Sequence, residues 1–416
     1  MKYGLIGEKL SHSFSKEIHE ALADYTYEIR ELTPDEVAPF LEAREFEGIN
    51  VTIPYKEKVM PYLDEISNAA KKIGAVNMIK KVDGKLIGDN TDFYGMREMI
   101  LRAGIDIKDK KVLILGTGGT SKTAKAVLAD LGAREIITVS RKPSESTITY
   151  ENTVQVHSDA EIIVNTTPVG MYPNTYSCPI DIEKFPLLTG VIDAIYNPLR
   201  TNLILEAKRR GIPAVGGLMM LILQAARASE IFLGKKIDES NVERVVKSIF
   251  ESKENIVLIG MPGSGKSTVG KLIAEITGRS FTDTDIVIEQ MTGKHPSEII
   301  KENGESAFRD IETKALREVA KKSEIIIATG GGIIKRSENI PLLRQNGRII
   351  YLDCDISELP VTPDRPLSAS REAIEELYRT RHPLYVAAAD ASVTISHKND
   401  VKINANEVIK IFSELI

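Results

Sequence analysis

Two glycine-rich stretches, GMPGSGKST at residues 260–268 and GTGGTS at 116–121, are built to bring backbone N–H groups close to phosphate oxygens. The first fits GxxxxGK[ST] directly after the apolar run NIVLI and directly before a helical pattern, the context that gives the motif its meaning. Its glycines let the backbone close around phosphates, Lys266 reaches the terminal phosphoryl, and Ser267 can hold Mg²⁺, so a nucleoside triphosphate is the expected ligand. The second follows KVLILG and opens the helical pattern TAKAVLADLG, a dinucleotide-type turn without the third glycine of GxGxxG. At the end of the next strand, EIITVSRK places Ser140, Arg141 and Lys142 where an NAD site carries an acid, which favours the 2′-phosphate of NADP.

Other clusters suggest what the nucleotides act on. FTDTD at 281–285 sets Asp283 and Asp285 at alternate positions, projecting the same way toward a metal or an acceptor hydroxyl. Arg309 in FRDIE and Arg381 in TRHPLY offer planar forks for a carboxylate or phosphate, and ATGGG at 328–332 offers backbone donors. Nearer the start, SHSFS at 11–15 supplies the Ser13 and Ser15 hydroxyls after a strand, NVTIPYK ends on Lys56, and GDNTD ends on Asp92. A lysine and a carboxylate converging on one carbonyl could relay a proton while hydride arrives from a nicotinamide. Singly, Lys56 also reads as a solvated charge and Asp92 as a helix cap.

The elements that must position these residues alternate between short apolar runs bounded by glycine (YGLIG, GINVTIP, KVLILG, EIIVNTT) and helical patterns, the rhythm of parallel strands with crossover helices. It resumes after residue 254 with NIVLIG, EIIIATGGG and RIIYLD. ESKEN at 251–255 reads as a short polar hinge, and the main boundary is placed there. The expected class is α/β: a substrate domain over 1–100 completed by helices at 217–250, a Rossmann-like dinucleotide domain over 101–216, and a P-loop domain with a central parallel sheet over 254–416. With 416 residues, 54 Lys plus Arg against 59 Asp plus Glu, and no long block of one sign, nucleic acid and anionic membrane are not expected partners. Cys178 and Cys354 stand apart without zinc or disulfide spacing, and no leader or bilayer-length apolar run occurs, so a cytoplasmic chain is expected.

In order along the chain, GMPGSGKST, FTDTD, TGKHPSEIIKENGESAFRDIE, ATGGG, DRPL and RHPLY make residues 254–416 resemble shikimate kinase. That resemblance implies that Asp285, Arg309, Gly331 and Arg381 hold shikimate, with Asp285 and Lys266 catalytic. It implies that Ser267 and Asp283 serve Mg²⁺, and that Gly263, Ser264, Gly265, Lys266, Ser267 and Thr268, with Arg365 of the DRPL lid, hold ATP. His295 departs from the family and is read as an ordinary surface residue. Likewise GEKLSHSFSKEIH, GINVTIPYKEKV, GAVNMI, GDNTDFYGM, GTGGTSKTA, VNTTPVGM, IDAIYNPLRTNLI and GGLMMLILQA make residues 1–250 similar to shikimate dehydrogenase. The implied substrate shell is Ser13, Ser15, Thr52, Asn77, Asp92, Tyr196 and Gln224, with Lys56 catalytic beside Asp92. Gly116, Thr117, Gly118, Gly119, Thr120, Ser140, Arg141, Lys142, Ala194 and Gly217 would lie along NADP. Lys16 replaces the usual proline, Phe93 the common glycine, and the stretch from 141 to 161 is brief for the usual helix and strand.

Together the resemblances imply successive reactions on one oxygen: NADPH reduces 3-dehydroshikimate, then ATP with Mg²⁺ phosphorylates the new hydroxyl of shikimate, on the way to chorismate and the aromatic amino acids. Small-molecule partners and a monomer or homodimer follow from that reading. The alternatives are a quinate-tolerant dehydrogenase joined to another small-hydroxyl kinase, or a ligand-sensing regulator without catalysis.

Overall fold

A computed structural model describes residues 1–10, 13–142, 144–361, 370–398 and 400–416. Two compact units, Met1–Ile249 and Phe250–Ile416, divide the chain.

The first unit holds two sheets. β1 (Tyr3–Gly7), β2 (Tyr27–Glu31), β3 (Gly48–Val51), β4 (Glu65–Ile66), β5 (Met78–Val82) and β6 (Lys85–Asp89) form a six-stranded sheet in the order β2-β1-β3-β5-β6-β4. The central runs YGLIG and GINV are buried at every position, whereas the edge strand YEIRE is exposed after its first residue. The parallel rhythm holds for β1 with β2 and β3, but β3–β5 and β5–β6 pair antiparallel. For β5–β6 the reason is local: Asp83 (φ 49°) and Gly84 (φ 78°) make a two-residue turn between Val82 and Lys85. Asp-Gly suits that left-handed pair of conformations and closes a hairpin rather than a crossover.

The second sheet is parallel throughout: β7 (Lys111–Leu115), β8 (Glu135–Val139), β9 (Ile162–Asn165), β10 (Gly190–Asp193) and β11 (Ala214–Val215), ordered β11-β10-β9-β7-β8. After β8 the brief stretch contains the helix Tyr150–Val156, contrary to expectation, while in place of the family's usual strand only a bridge joins Val139 and Ile148. Helices Thr91–Arg102 and Gly217–Leu233 pack closely where Gly95 leaves room: a Cβ there would lie 2.7 Å from the Met220 carbonyl oxygen.

In the second unit β12 (Asn255–Ile259), β13 (Ser280–Asp283), β14 (Ile325–Ala328), β15 (Gly347–Cys354) and β16 (Ala391–Ile395) form a parallel sheet ordered β13-β14-β12-β15-β16. NIVLI, IIIA and most of GRIIYLDC are buried, as central strands covered on both faces require. The polar run 251–255 is not a hinge. Glu251 to Lys253 end the helix Glu239–Lys253, and Lys253, Glu254 and Asn255 are buried. Lys253 pairs with Glu324 at 2.7 Å, Glu254 with Arg348 at 2.7 Å, and Asn255 donates to the Lys322 carbonyl at 2.7 Å. These polar residues are anchors of the sheet floor, which composition alone could not distinguish from a linker.

Among the described residues, no helix is long and apolar enough to cross a membrane.

Candidate functional site

Each unit carries its own site. In the first, Lys56 follows β3 and Asp92 sits in the first turn of the helix Thr91–Arg102, capped by Asn90, whose side chain accepts from the Phe93 N–H. Their side chains meet, Nζ to Oδ2, at 2.5 Å, and both remain partly accessible at 29 % and 17 %. The pair that sequence spacing could not show to converge does converge. Beside it, Asn77 Oδ1 accepts from the Thr91 N–H at 2.6 Å, Asn77 Nδ2 donates to Thr91 Oγ1 at 3.1 Å, and that hydroxyl donates to Gln224 Oε1 at 3.2 Å. Thr91, which sequence reasoning passed over, therefore joins two of the expected substrate residues. Its signal was its place in GDNTD, directly before the aspartate.

At the start of the helix Ser15–Leu22, Ser13 Oγ donates to Ser15 Oγ at 3.0 Å, and Phe14 meets the Tyr196 ring edge-on with centroids 5.6 Å apart. Thr52 is anchored through its N–H to the Ile6 carbonyl at 3.0 Å. On the dinucleotide sheet Gly116 turns with φ 105°, and a Cβ there would press on Thr166 Oγ1 and Thr167 Cγ2 at 3.0 Å. Cβ atoms at Gly118 and Gly119 would meet nothing within 4 Å, so the turn is open where the helix Gly119–Asp130 begins. Thr117 and Thr120 flank that opening. At the end of β8, Arg141 and Lys142 are exposed, and the Lys142 N–H donates to Ser140 Oγ at 3.2 Å. An open glycine cradle and exposed cations fit a phosphorylated dinucleotide.

Gly217 donates its N–H to the Ile195 carbonyl at 2.9 Å, and a Cβ on it would overlap the Ala194 carbonyl oxygen. Gly217→Ala is therefore expected to force backbone apart. The expected destabilisation of the first unit is about 1–3 kcal/mol, read from the midpoint of urea unfolding.

In the second unit a cavity of about 570 Å³ gathers the phosphate loop, Asp283, Asp285, Arg309, Glu312, Gly331 and Arg381. Gly263 (φ 80°) and Gly265 (φ 82°) give the loop its left-handed turns, and the helix Lys266–Thr277 starts at its end. Lys266 Nζ donates to the carbonyls of Gly260 at 3.0 Å and Met261 at 2.8 Å. Ser264 Oγ is buried with no partner among the described residues, an orphan that suits a phosphate-binding loop. Ser267 Oγ donates to Asp283 Oδ2 at 2.6 Å, a hydroxyl and carboxylate pair of hard oxygen donors. So small a protein donor set fits Mg²⁺, which keeps several waters and phosphate oxygens. Asp283 and Asp285 both face the cavity, though not through strand alternation. Asp283 ends β13 and caps the helix Thr284–Thr292, accepting the Asp285 N–H at 3.0 Å.

One arm of the expected anion clamp rests on carboxylates and the other on a backbone carbonyl. Arg309 donates to Glu312 Oε2 at 2.7 Å and to Glu305 Oε1 at 2.9 Å, while Arg381 donates to the Gly331 carbonyl at 2.9 Å. A Cβ at Gly332 would overlap the Arg309 guanidinium, so a side chain there would displace that arginine. A Cβ at Gly330 would lie 2.8 Å from Asp285 Oδ1 and 2.9 Å from Glu312 Oε1. Burial raises the Glu312 carboxyl, and Asp285 adds to the rise. Glu305 is lowered to about 2, first by its hydrogen bond from Lys335. Sequence reasoning missed both glutamates, although Glu312 is the last letter of FRDIE. His295 is exposed and caps the helix Pro296–Val319, yet it also lines the cavity, as does His397, so the plain surface reading of His295 was incomplete. Arg365 and the rest of DRPL lie outside the described residues.

The family model for shikimate kinase matches residues 262–414, and that for the shikimate dehydrogenase substrate binding domain matches residues 5–79. A shikimate dehydrogenase (NADP(+)) of Clostridium perfringens is 39 % identical over 265 residues, covering 59 % of this chain and 97 % of that protein. Among solved structures, a chorismate mutase/shikimate 5-dehydrogenase fusion from Clostridium acetobutylicum aligns with a TM-score of 0.57 at 35 % identity, over 60 % of this chain and 97 % of that one. A shikimate 5-dehydrogenase from Thermus thermophilus, solved with NADP(H) and shikimate, aligns with a TM-score of 0.54 at 29 % identity, over 60 % and 99 %. These likenesses cover the N-terminal part of the chain and the kinase match its C-terminal part: the chain belongs to the shikimate dehydrogenase family and carries a shikimate kinase domain behind it.

Proposed function

We propose that this chain reduces 3-dehydroshikimate to shikimate in its first unit and phosphorylates shikimate in its second, the product of one site being the substrate of the other. The Lys56–Asp92 pair beside a dinucleotide sheet, on the same chain as a P-loop cavity with two arginines, carries this reading. The alternatives are not favoured, and a silent regulator would have no need of Lys56, Asp92, Lys266 and Asp285 together.

Bound NADPH supplies the hydride in the first reaction. Lys56 donates to the ketone oxygen as negative charge gathers there and passes it a proton, while Asp92 holds the ammonium in place. Asn77, Gln224, Thr52, Tyr196 and the Ser13–Ser15 pair orient the ring and its carboxylate. Gly116 to Thr120, Ala194 and Gly217 form the dinucleotide path, and Ser140, Arg141 and Lys142 receive the 2′-phosphate.

Bound Mg–ATP supplies the phosphoryl group in the second. Asp285 orients the acceptor hydroxyl and takes its proton; Arg309 and Arg381, with Gly331, hold the shikimate carboxylate. Lys266 exchanges its two carbonyl partners for phosphate oxygens, and Ser267 and Asp283 serve the metal. The domain division, the residue roles, a monomeric or homodimeric state and a cytoplasmic site of action belong to this proposal.

Purified chain given 3-dehydroshikimate, NADPH and ATP with Mg²⁺ should form shikimate 3-phosphate, with NADPH oxidised and ADP released in equal amounts. Shikimate accumulating without phosphorylation would sink the second half of the reading. Cofactor choice is a separate expectation. NADP should be preferred over NAD, and Arg141→Ala should narrow the ratio of kcat/KM values by about tenfold, the loss of one charge-assisted phosphate contact. Equal use of NAD by the unaltered chain would count against the assignment of Arg141.

A further inference from the structure

At the C-terminal rim of the dinucleotide sheet one buried carboxylate has no part in the chemistry above. Asp193 ends β10 with no exposed surface, and its two oxygens collect three donors from three places. Asn165 Nδ2, at the end of β9, donates to Oδ1 at 3.0 Å. The Ile195 N–H donates to the same oxygen at 3.0 Å, and Thr201 Oγ1 donates to Oδ2 at 2.6 Å.

Each donor borders a segment that the proposed function sets beside cofactor or substrate. Asn165 passes the constraint onward: its Oδ1 accepts from Thr167 N–H at 3.0 Å and from Thr167 Oγ1 at 2.7 Å, and Val169 N–H donates to Thr167 Oγ1 at 3.2 Å. Thr166 and Thr167 are the side chains that back the Gly116 turn. On the other side, the loop pinned at Ile195 and Thr201 carries Tyr196; its Ile195 carbonyl accepts the Gly217 N–H, and its Ala194 carbonyl packs where a Cβ on Gly217 would lie.

We infer that ionised Asp193 is a positioning residue for hydride transfer, tying the loop behind the glycine turn to the loop of Tyr196 so that cofactor and substrate are held in one geometry. The inference rests on the dehydrogenase reading of the first unit. The groups meeting the carboxylate are the Asn165 amide, the Thr201 hydroxyl and the Ile195 N–H, and its charge also opposes ionisation of the Cys178 thiol. Burial raises the Asp193 carboxyl to about 6 even against those three donors. Its folded value stands above its unfolded one, so the charge costs stability as pH rises through about 6, and the ionised form is populated only above it. A proton on Oδ2 would remove the acceptor that Thr201 uses.

Asp193→Asn reproduces the protonated state in nearly the same volume, and Thr201→Val removes the donor while leaving the carboxylate. In the full chain, kcat and KM for NADPH and for 3-dehydroshikimate are measured across the pH range, with shikimate phosphorylation followed alongside. The unaltered chain should show an acid limb in kcat with a midpoint near 6. Both substitutions should lower kcat by about tenfold to about a hundredfold, the scale of a small misplacement of reacting groups. Asp193→Asn should also lose that limb, and Thr201→Ser should restore rate and profile. A folded Asp193→Asn chain with unaltered kcat and pH profile overturns the inference alone. An unaltered chain that never reduces 3-dehydroshikimate overturns the dehydrogenase reading and this inference with it. Should Asp193→Asn fail to fold, Thr201→Val decides: a comparable loss rescued by Ser upholds the inference, and an unaltered profile overturns it.

Discussion

Lys56→Ala should lower NADPH oxidation by about 10²- to about 10⁴-fold, the usual worth of a positioned proton donor, while ATP-dependent phosphorylation of supplied shikimate continues at its normal rate. The loss should appear mainly in kcat, because the lysine acts most strongly once charge builds on the ketone oxygen. Asp92 makes the expectation sharper. With the ammonium gone, its carboxylate loses a partner 2.5 Å away and faces the substrate unpaired, so substrate affinity should also weaken. Steady-state kinetics of the full chain in both assays checks this. Loss of both activities in a folded protein would mean that the two sites are not chemically separate.

Lys266→Ala should do the converse, lowering phosphorylation by about 10³-fold, comparable to removing one preorganised donor from a developing anion. The lysine is 8 % exposed and now rests on the carbonyls of Gly260 and Met261. It is held ready by bonds it can exchange for phosphate oxygens without moving its backbone. ATP binding measured by calorimetry should weaken less than turnover falls, since the loop N–H groups and Ser267 remain. Dehydrogenase turnover should be untouched, and an equal drop there would argue against separate sites.

Much of this molecule could be read from the chain. Phosphate loops announce themselves because a local backbone requirement, glycine at Gly263 and Gly265 followed by Lys266, is written in consecutive letters. Strands such as KVLIL were legible because burial on both faces demands an unbroken apolar run. The hairpin at Asp83–Gly84 was equally local, but the surrounding crossover rhythm masked it. What stayed hidden was relational. Glu305 and Glu312 stand one helical turn to either side of Arg309, so their pairing with it is local, but that this face of the helix is buried is not written in the letters. Thr91 gained meaning only when Asn77 and Gln224, distant in sequence, were brought to it. Lys253 and Glu254 read as a linker because polarity alone does not reveal a partner.

Those buried anchors bear on any attempt to separate the two activities. The motifs of the kinase begin at Gly260, and a fragment cut by motif would start at Asn255. Such a fragment discards Glu254, the counter-ion of Arg348, and the Glu251 and Glu254 carbonyls that receive the Arg279 guanidinium. Two arginines would be left without their partners beneath the sheet, and Ser413 would lose the Glu251 carboxylate near the opposite terminus. The piece would hold every catalytic letter and still be a poor protein, salt-sensitive and prone to precipitate. A kinase meant to stand alone has to keep the last turn of the preceding helix, so the border between the activities and the border between the folding units fall at different residues.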